Sequence, residues 1–332
     1  MVEEMILENS PACEIIRRSE PKTEDEFREA RTVGLGGSDA GAILGLSTYK
    51  SPFMVACEKM KLVRRSEDTD ATRRGKKREP WLRGLLADWF FAETGKQVKV
   101  YSAPGQYRSK RNPIIIAQMD GFVDIEGLGL GVLEIKTAID FMMPYWENDQ
   151  IPDSYYAQGQ HYALGTDLPY TLFFAEVGDT FLYRISPRNQ EFIDKMEAQE
   201  VQFWNTYIVP KILPDPAGIE KEEPYLLQLY GKSDSEHFIA LPDLAEKAAR
   251  YLALGEAIKP LEAEKDAINA LFKGRIGNAK GAAAGAYRVT WSRFKRESLD
   301  TAKLKVEEPK IWQKYRKESD TGRLTISLPV TK

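Results

Sequence analysis

The alternation of apolar and polar positions divides the chain into recognisable elements. Trp81, Leu82, Leu85, Leu86, Trp89 and Phe90 recur at three-and-four spacing, which predicts a helix over residues 78–94, ended by Gly95 and with Pro80 in its first turn. Upstream, the turn Gly34-Leu35-Gly36-Gly37 leads into a short helix over 39–46, with Ser38 or Asp39 as its cap. Strand-like runs follow over 97–101, 114–119 and 130–136. A helix over 154–164 comes next. Two apolar strands, 171–177 and 180–185, are separated by the hairpin signal Gly178-Asp179. A longer helix over 189–208 carries Phe192, Ile193, Met196, Phe203 and Tyr207 on one face. Helix, three strands, helix, two strands and helix make a mixed α/β fold, a mixed sheet flanked by helices.

Pro210 to Pro224 is dense in proline and breaks this pattern, so the chain divides into a core over 1–212 and a C-terminal appendage over 213–332. In the appendage, Leu244, Ala248, Tyr251, Ile258, Leu261, Ile268 and Leu271 form a helical seam over 243–272. Gly255 and Pro260 predict a kink or a split there. A hairpin of two helices packed on itself is the expected form, and a partner surface is the alternative. Residues 286–293 alternate like an edge strand.

Composition changes the picture mainly by exclusion. The chain has 332 residues, 42% hydrophobic and 29% charged, which is ordinary globular composition. It has no apolar run long enough to span a membrane, and its acidic start does not read as a secretory signal. A cytoplasmic protein is expected. Two cysteines, Cys13 and Cys57, and two histidines, His161 and His237, exclude a disulfide framework, a zinc ribbon and a His-rich metal site. Any metal would rest on carboxylates, which suit magnesium or manganese.

The net charge of −3 hides an uneven distribution. The acidic segment 1–30 carries nine acids and four bases, whereas 59–78 carries nine bases against three acids and 273–317 thirteen against four. The two basic stretches read either as phosphate-contacting surfaces or as solvated faces.

The candidate chemistry lies at Asp120 and at Glu134-Ile135-Lys136. Strand alternation puts Glu134 and Lys136 on one face and Leu133 and Ile135 on the other. Charges inside an apolar run need a partner or a metal. An exposed Glu–Lys pair on a sheet is the ordinary reading of such a motif alone. Glu79 on the upstream helix and Asp120 at a strand end add two carboxylates. Three carboxylates and a lysine can hold one or two hard cations for phosphodiester hydrolysis.

These residues resemble the PD-(D/E)XK nuclease signature, with Met119 where the signature's name has proline. Their surroundings resemble the YqaJ-like viral recombinase family, relatives of phage lambda exonuclease. Four ordered stretches carry the resemblance: Gly34 to Pro52, Arg74 to Pro80, Asp120 with Glu134 to Lys136, and Trp146 to His161 with its Tyr155-Tyr156-Ala157-Gln158 segment. The resemblance implies a restriction-endonuclease-like core and a Mg2+-dependent nuclease, with Mn2+ as a substitute. It implies a 5′-to-3′ exonuclease on double-stranded DNA ends that leaves a 3′ overhang for a single-strand annealing protein, with a homotrimer as a possible assembly. It also implies that Asp120, Glu134 and the Ile135 carbonyl bind metal, that Glu79 serves a second ion, that Lys136 activates water and that Gln158 assists it. Arg31 and Ser38 match positions that hold phosphate, and Arg73, Arg74 and Lys76 would meet the duplex.

Three readings stay open: the exonuclease, an endonuclease or structure-specific nuclease on the same core, and a non-catalytic DNA-binding scaffold. His161 reads as a satisfied helix residue, Trp146 as a packing anchor, and Asp124, with Glu126, as a turn residue that could reach an outer metal shell.

Overall fold

The computed structural model describes residues 2–19, 21–64, 69–231, 238–317 and 321–327; Arg65 of the basic stretch and His237 lie outside them. The elements in chain order begin with β1 (Glu3–Glu4), β2 (Cys13–Arg17), α1 (Glu24–Thr32), β3 (Leu35–Gly36), α2 (Gly37–Ile43), α3 (Pro52–Lys59) and α4 (Asp70–Thr94). Then come β4 (Val98–Ser102), β5 (Gln106–Ser109), β6 (Ile115–Ala117), β7 (Gly121–Ile125), β8 (Gly129–Ala138), α5 (Asp153–Thr166), β9 (Tyr170–Val177), β10 (Thr180–Pro187) and α6 (Gln190–Phe203). The remainder is α7 (Glu223–Tyr230), α8 (Ala245–Ile276), β11 (Gly281–Ala284), β12 (Tyr287–Thr290), α9 (Thr301–Glu307) and α10 (Pro309–Tyr315).

The expected mixed sheet flanked by helices is what the first part forms. Six strands run in the order β1-β4-β7-β8-β9-β10, with β8 parallel to β9 and antiparallel to β7. One face packs on α4: Leu82, Leu86 and Phe90 meet Val123, Ile125, Leu133, Ile135 and Phe174 in a buried cluster. On the other face lies α5, where Tyr162 packs with Phe122 and Val132. The alternation along β8 is therefore real: Leu133 and Ile135 are anchored in the α4 core, and Glu134 faces α5. Trp146 is buried against Phe173 and Tyr155, as a packing anchor should be.

The run expected over 114–119 forms β6, which pairs with β5 within a second, four-stranded sheet, β2-β5-β6-β3; β2, β3, β5 and β7 are among the strands that were not legible. β7 occupies the stretch expected to be a turn after Asp120. It is buried on both faces, so it lacks the alternation that marks a half-exposed strand. Asp124 therefore sits in register with Lys99 and Leu130. It stands four residues along the strand from Asp120, about 13 Å, which is too far for an outer-shell ligand there. Gly127 and Gly129, with φ of 80° and 75°, make the turn between β7 and β8 in a region that favours glycine.

α4 starts at Asp70, well before the expected start, and Pro80 lies inside it rather than in its first turn. The added half, from Asp70 to Glu79, has no apolar stripe, so periodicity could not detect it.

The first compact unit runs from Met1 to Tyr230, past the 212/213 boundary read from the prolines. Its last segment is stitched to the core. Buried Glu222 accepts from Ser51 Oγ and from the amides of Ala217 (2.9 Å) and Gly218 (2.7 Å), and Tyr225 Oη donates to Glu58 at 2.6 Å. Proline here shapes an irregular strap, not a linker.

The second unit runs from Gly231 to Lys332. Its seam is carried by α8, one continuous helix of 32 residues, and not by a helical hairpin packed on itself. Pro260 sits within it without splitting it. The alternating run at 286–293 is half of an antiparallel hairpin, β11 with β12. No helix among the described residues is long and apolar enough to cross a membrane.

Candidate active site

A hairpin register builds the centre of the site. Gly121 on β7 pairs with Leu133 on β8, which sets Asp120 opposite Glu134 at the open end of the pair. Asp120 Oδ2 accepts from the Ile135 amide at 2.7 Å, fixing the carboxylate against the strand.

Glu134, Lys136 and Gln158 form a closed triangle. Lys136 Nζ donates to Glu134 Oε1 (2.7 Å) and to Gln158 Oε1 (2.8 Å), and Gln158 Nε2 donates to Glu134 Oε1 at 2.6 Å. Gln158 is presented by α5, one turn before Tyr162, whose hydroxyl accepts from the same Nε2 at 2.9 Å. The ammonium of Lys136 also lies 4.3 Å from the centroid of the Tyr155 ring. α2 approaches α5 closely at Gly37, where a Cβ would meet the Tyr162 ring at 2.6 Å.

The charges are unevenly matched. Glu134 is buried, and its Oε2 has no hydrogen-bond partner among the described residues. Burial first, then the neighbouring charge of Asp120, pushes its pKa up, against the pull of Lys136. Burial draws the Lys136 pKa down, but Glu134, Tyr155 and Asp120 outweigh it, and it ends raised. The lysine therefore stays charged.

Around this centre is a cleft of about 490 Å3, lined among others by Arg31, Ser38, Lys76, Glu79, Asp120 and Glu134. Glu79 accepts from Arg83, one turn further along α4. Arg31 donates to Ser38 Oγ at 2.8 Å. Both residues also line an adjoining cavity of about 530 Å3, together with Lys136 and Gln158. The three basic residues expected to meet DNA are split. Lys76 lines the main cleft, whereas Arg73 and Arg74 line a shallow hollow with Lys77 and Arg78. Thus Glu79, Asp120, Glu134, Gln158, Arg31, Ser38 and Lys76 share one cleft; Lys136 touches it through the triangle, and Arg73 and Arg74 stand outside it. The Ile135 side chain is in the α4 core.

A divalent cation suits this donor set. Asp120 and Glu134 offer carboxylate oxygens, one of them buried and unpartnered, and the raised pKa of Glu134 marks a shortage of positive charge. Among the described residues no group of three or more His, Cys, Asp or Glu side chains is drawn together as a metal cluster. The fit therefore rests on the Asp120–Glu134 pair.

Beside this centre lies a second acid–lysine cluster that the sequence reading missed. Asp39 is fully buried at the start of α2. It pairs with Lys59 at 2.6 Å and Lys50 at 2.8 Å, and its Oδ2 accepts from the Gly36 amide at 2.9 Å. Lys59 also donates to the Arg31 carbonyl at 2.5 Å, and Lys50 pairs with Glu58 at 2.7 Å. Burial raises the Asp39 pKa, but Lys50, Lys59 and Arg31 overcome it and hold it well below the usual range. The available signal was the charged pair Glu58-Lys59 at the end of the otherwise apolar stretch Phe53–Met60.

Residues 26–169 match the family model of the YqaJ-like viral recombinase domain. The match bears out the resemblance to that family drawn from the four motifs. The chain is also 29% identical to the uncharacterized protein YqaJ of Bacillus subtilis (strain 168) over 322 residues, spanning 96% of this chain and 98% of that one. The similarity thus continues past the matched domain. Among solved structures, it is similar to an alkaline exonuclease (LHK-Exo) from Laribacter hongkongensis, at 16% identity over 56% of this chain and 93% of that chain, with a TM-score of 0.42. LHK-Exo in complex with dAMP gives a TM-score of 0.43 at 16% identity, over 63% of this chain and 100% of that one.

Proposed function

We propose that the chain is a metal-dependent nuclease that degrades double-stranded DNA from its ends, 5′ to 3′, and leaves a 3′ overhang for a single-strand annealing protein. The observation that carries this reading is the triangle of Glu134, Lys136 and Gln158 beside Asp120, set in a cleft that also holds Arg31 and Ser38. The domain match over 26–169 supports it.

Asp120 and Glu134 would hold Mg2+ or Mn2+, with the Ile135 carbonyl beside them and Glu79 serving a second ion. Such an ion supplies a Lewis acid for the phosphate and a more acidic water. Lys136, held by Glu134 and Gln158, would orient the nucleophile and offset negative charge at the phosphate. Gln158 keeps that ammonium aimed, because one amide bonds both the lysine and the glutamate. Tyr155 shields the lysine on one side. Arg31 and Ser38 would receive a terminal 5′-phosphate, and Lys76, Arg73 and Arg74 the duplex backbone. A homotrimer threaded by DNA belongs to the same reading.

The test is digestion of linear and closed circular duplex in magnesium, and again in EDTA. Loss of the linear form alone, abolished by EDTA, is the expected result. Nicking of the circle would replace the exonuclease with an endonuclease, and no cleavage of either would leave a DNA-binding scaffold.

A further inference from the structure

The 32-residue helix α8 is about 48 Å long at 1.5 Å per residue, and nearly every side chain on it is exposed. It contains Gly255, Pro260 and Gly274, residues that weaken a helix. A helix of that composition is marginal without packing. Six of its apolar residues and two lysines are nevertheless ordered in one stripe. Lys247, Tyr251, Leu254, Ile258, Leu261, Lys265, Ile268 and Phe272 follow one another at spacings that alternate four and three. That is the seam of a coiled coil, a stripe that faces a partner helix at 3.5 residues per turn. Tyr251, Leu254, Ile258, Leu261 and Ile268 are all exposed, Leu261 by 65%, and Phe272 is half-buried.

We propose that α8 is a self-association helix that pairs antiparallel with α8 of a second copy of this chain. The order of residues along the stripe selects both partner and direction. About a twofold axis between Ile258 and Leu261, the stripe matches its own reverse. Ile258 meets Leu261, Leu254 meets Lys265, Tyr251 meets Ile268 and Lys247 meets Phe272, each pair drawn from the two copies. Both lysines then lie on apolar partners, with Lys247 against an aromatic ring and the stem of Lys265 along a leucine. Parallel pairing would instead stack Lys247 on Lys247 and Lys265 on Lys265, two layers of like charge. The flanks agree. Lys259 and Glu262 lie on the same side of the seam near the axis, so antiparallel pairing sets each opposite the other's charge twice over. The interface is isologous and closes after two copies. It is independent of how the nuclease units assemble, because a pair of chains and a pair of trimers are joined by the same contact.

The experiment measures the mass of the full chain in solution by light scattering at micromolar concentration, for the wild type and for a variant carrying Ile258→Glu and Leu261→Glu. Both positions are exposed in the single chain, so the core should melt unchanged. The expected result is a twofold drop in mass. An equal mass for the two proteins overturns the proposal. Disulfide trapping tests direction without any disruptive change. The Tyr251→Cys, Ile268→Cys double variant should form covalent dimers under mild oxidation, and Leu254→Cys alone should not. Cys13 and Cys57 are buried and do not compete. Efficient cross-linking of Leu254→Cys alone, or none in the double variant, overturns the antiparallel pairing.

Discussion

Two buried acid–lysine clusters border the same cleft, and they differ in how their charges are balanced. Around Asp39, one carboxylate meets two ammonium groups and a backbone amide, and its pKa sits well below normal. Around Glu134, one lysine bonds the carboxylate, Asp120 adds like charge beside it, the Glu134 Oε2 is left without a hydrogen-bond partner among the described residues, and the pKa rises. The first arrangement is closed and needs nothing more. The second is short of a cation. Burial and ion pairing alone do not mark a functional site, since both clusters have them; an unmet charge does.

The comparison can be broken most severely at the open cluster. Lys136→Ala should lower the cleavage rate by about a hundredfold to ten-thousandfold, the usual scale for a lost charge-stabilising donor, while DNA binding measured by anisotropy stays close to wild type. Glu134→Gln should be as inactive and should also weaken magnesium binding measured by calorimetry. A Lys136→Ala protein that cuts normally would make this cluster as structural as the other.

The closed cluster should respond in stability. Asp39→Asn leaves Lys50 and Lys59 buried without their shared carboxylate, and removing one partner of a buried ion pair costs about 3–5 kcal/mol. Denaturant titration at neutral pH reads it. Because the native pKa is depressed, the contribution is present above the unfolded value, about 3.9, and is lost as pH falls through the native one. The variant should lack that acid-dependent loss.

Arg31 lines the cleft beside the closed cluster: Lys59 donates to its carbonyl, and its guanidinium donates to Ser38 Oγ. Arg31→Ala keeps the first bond and removes the second. It should erase most of a preference for 5′-phosphorylated over 5′-hydroxyl ends, about ten- to a hundredfold in initial rate, for a charge-assisted contact of roughly 1.5–3 kcal/mol. Equal rates on the two ends in the wild type would remove the phosphate role.

The smallest effect concerns a third buried acid, Glu200, which is paired with a histidine and whose Oε2, like that of Glu134, has no hydrogen-bond partner among the described residues. His161 on α5 is fully buried, with Glu200 at 2.7 Å on Nδ1 and the Ile116 carbonyl at 3.1 Å on Nε2. Burial lowers its pKa, but Glu200 outweighs that and the result is raised. Its contribution is therefore complete below the unfolded value of about 6.5 and is lost as pH rises through the native one. Thermal melts of wild type and His161→Gln should converge as pH rises. A constant gap would mean that the ring is not charged in the fold.

Strand β8 was legible because Leu133, Glu134, Ile135 and Lys136 alternate, and its sheet buries the two faces differently. β7 was not, because both of its faces are buried and Gly121 and Asp124 read as turn residues. Asp39 was visible only as a helix cap; its role depends on Lys50 and Lys59, which only the fold brings to it. The α8 seam was legible as a seam. Its form was misread because Pro260 was given the power to split a helix, whereas a proline on a solvent face can be carried within one.

Pro80 has the corresponding place in α4, with a consequence for motion. It cannot donate the amide hydrogen that would close the turn on Lys76, so the helical ladder is interrupted between a polar half and a half rooted in the core. The two halves should therefore open at different free energies. Amides before Pro80 should exchange with solvent through local fraying, and those of Leu82 to Phe90 only when the sheet itself comes apart. Glu79 is the last residue of the labile half, yet its carboxylate is tethered to Arg83 in the stable one. The part of the basic segment before Arg78 should open separately, while Arg78, paired with Glu176 on β9, and the acid beside it stay registered to the strands beneath.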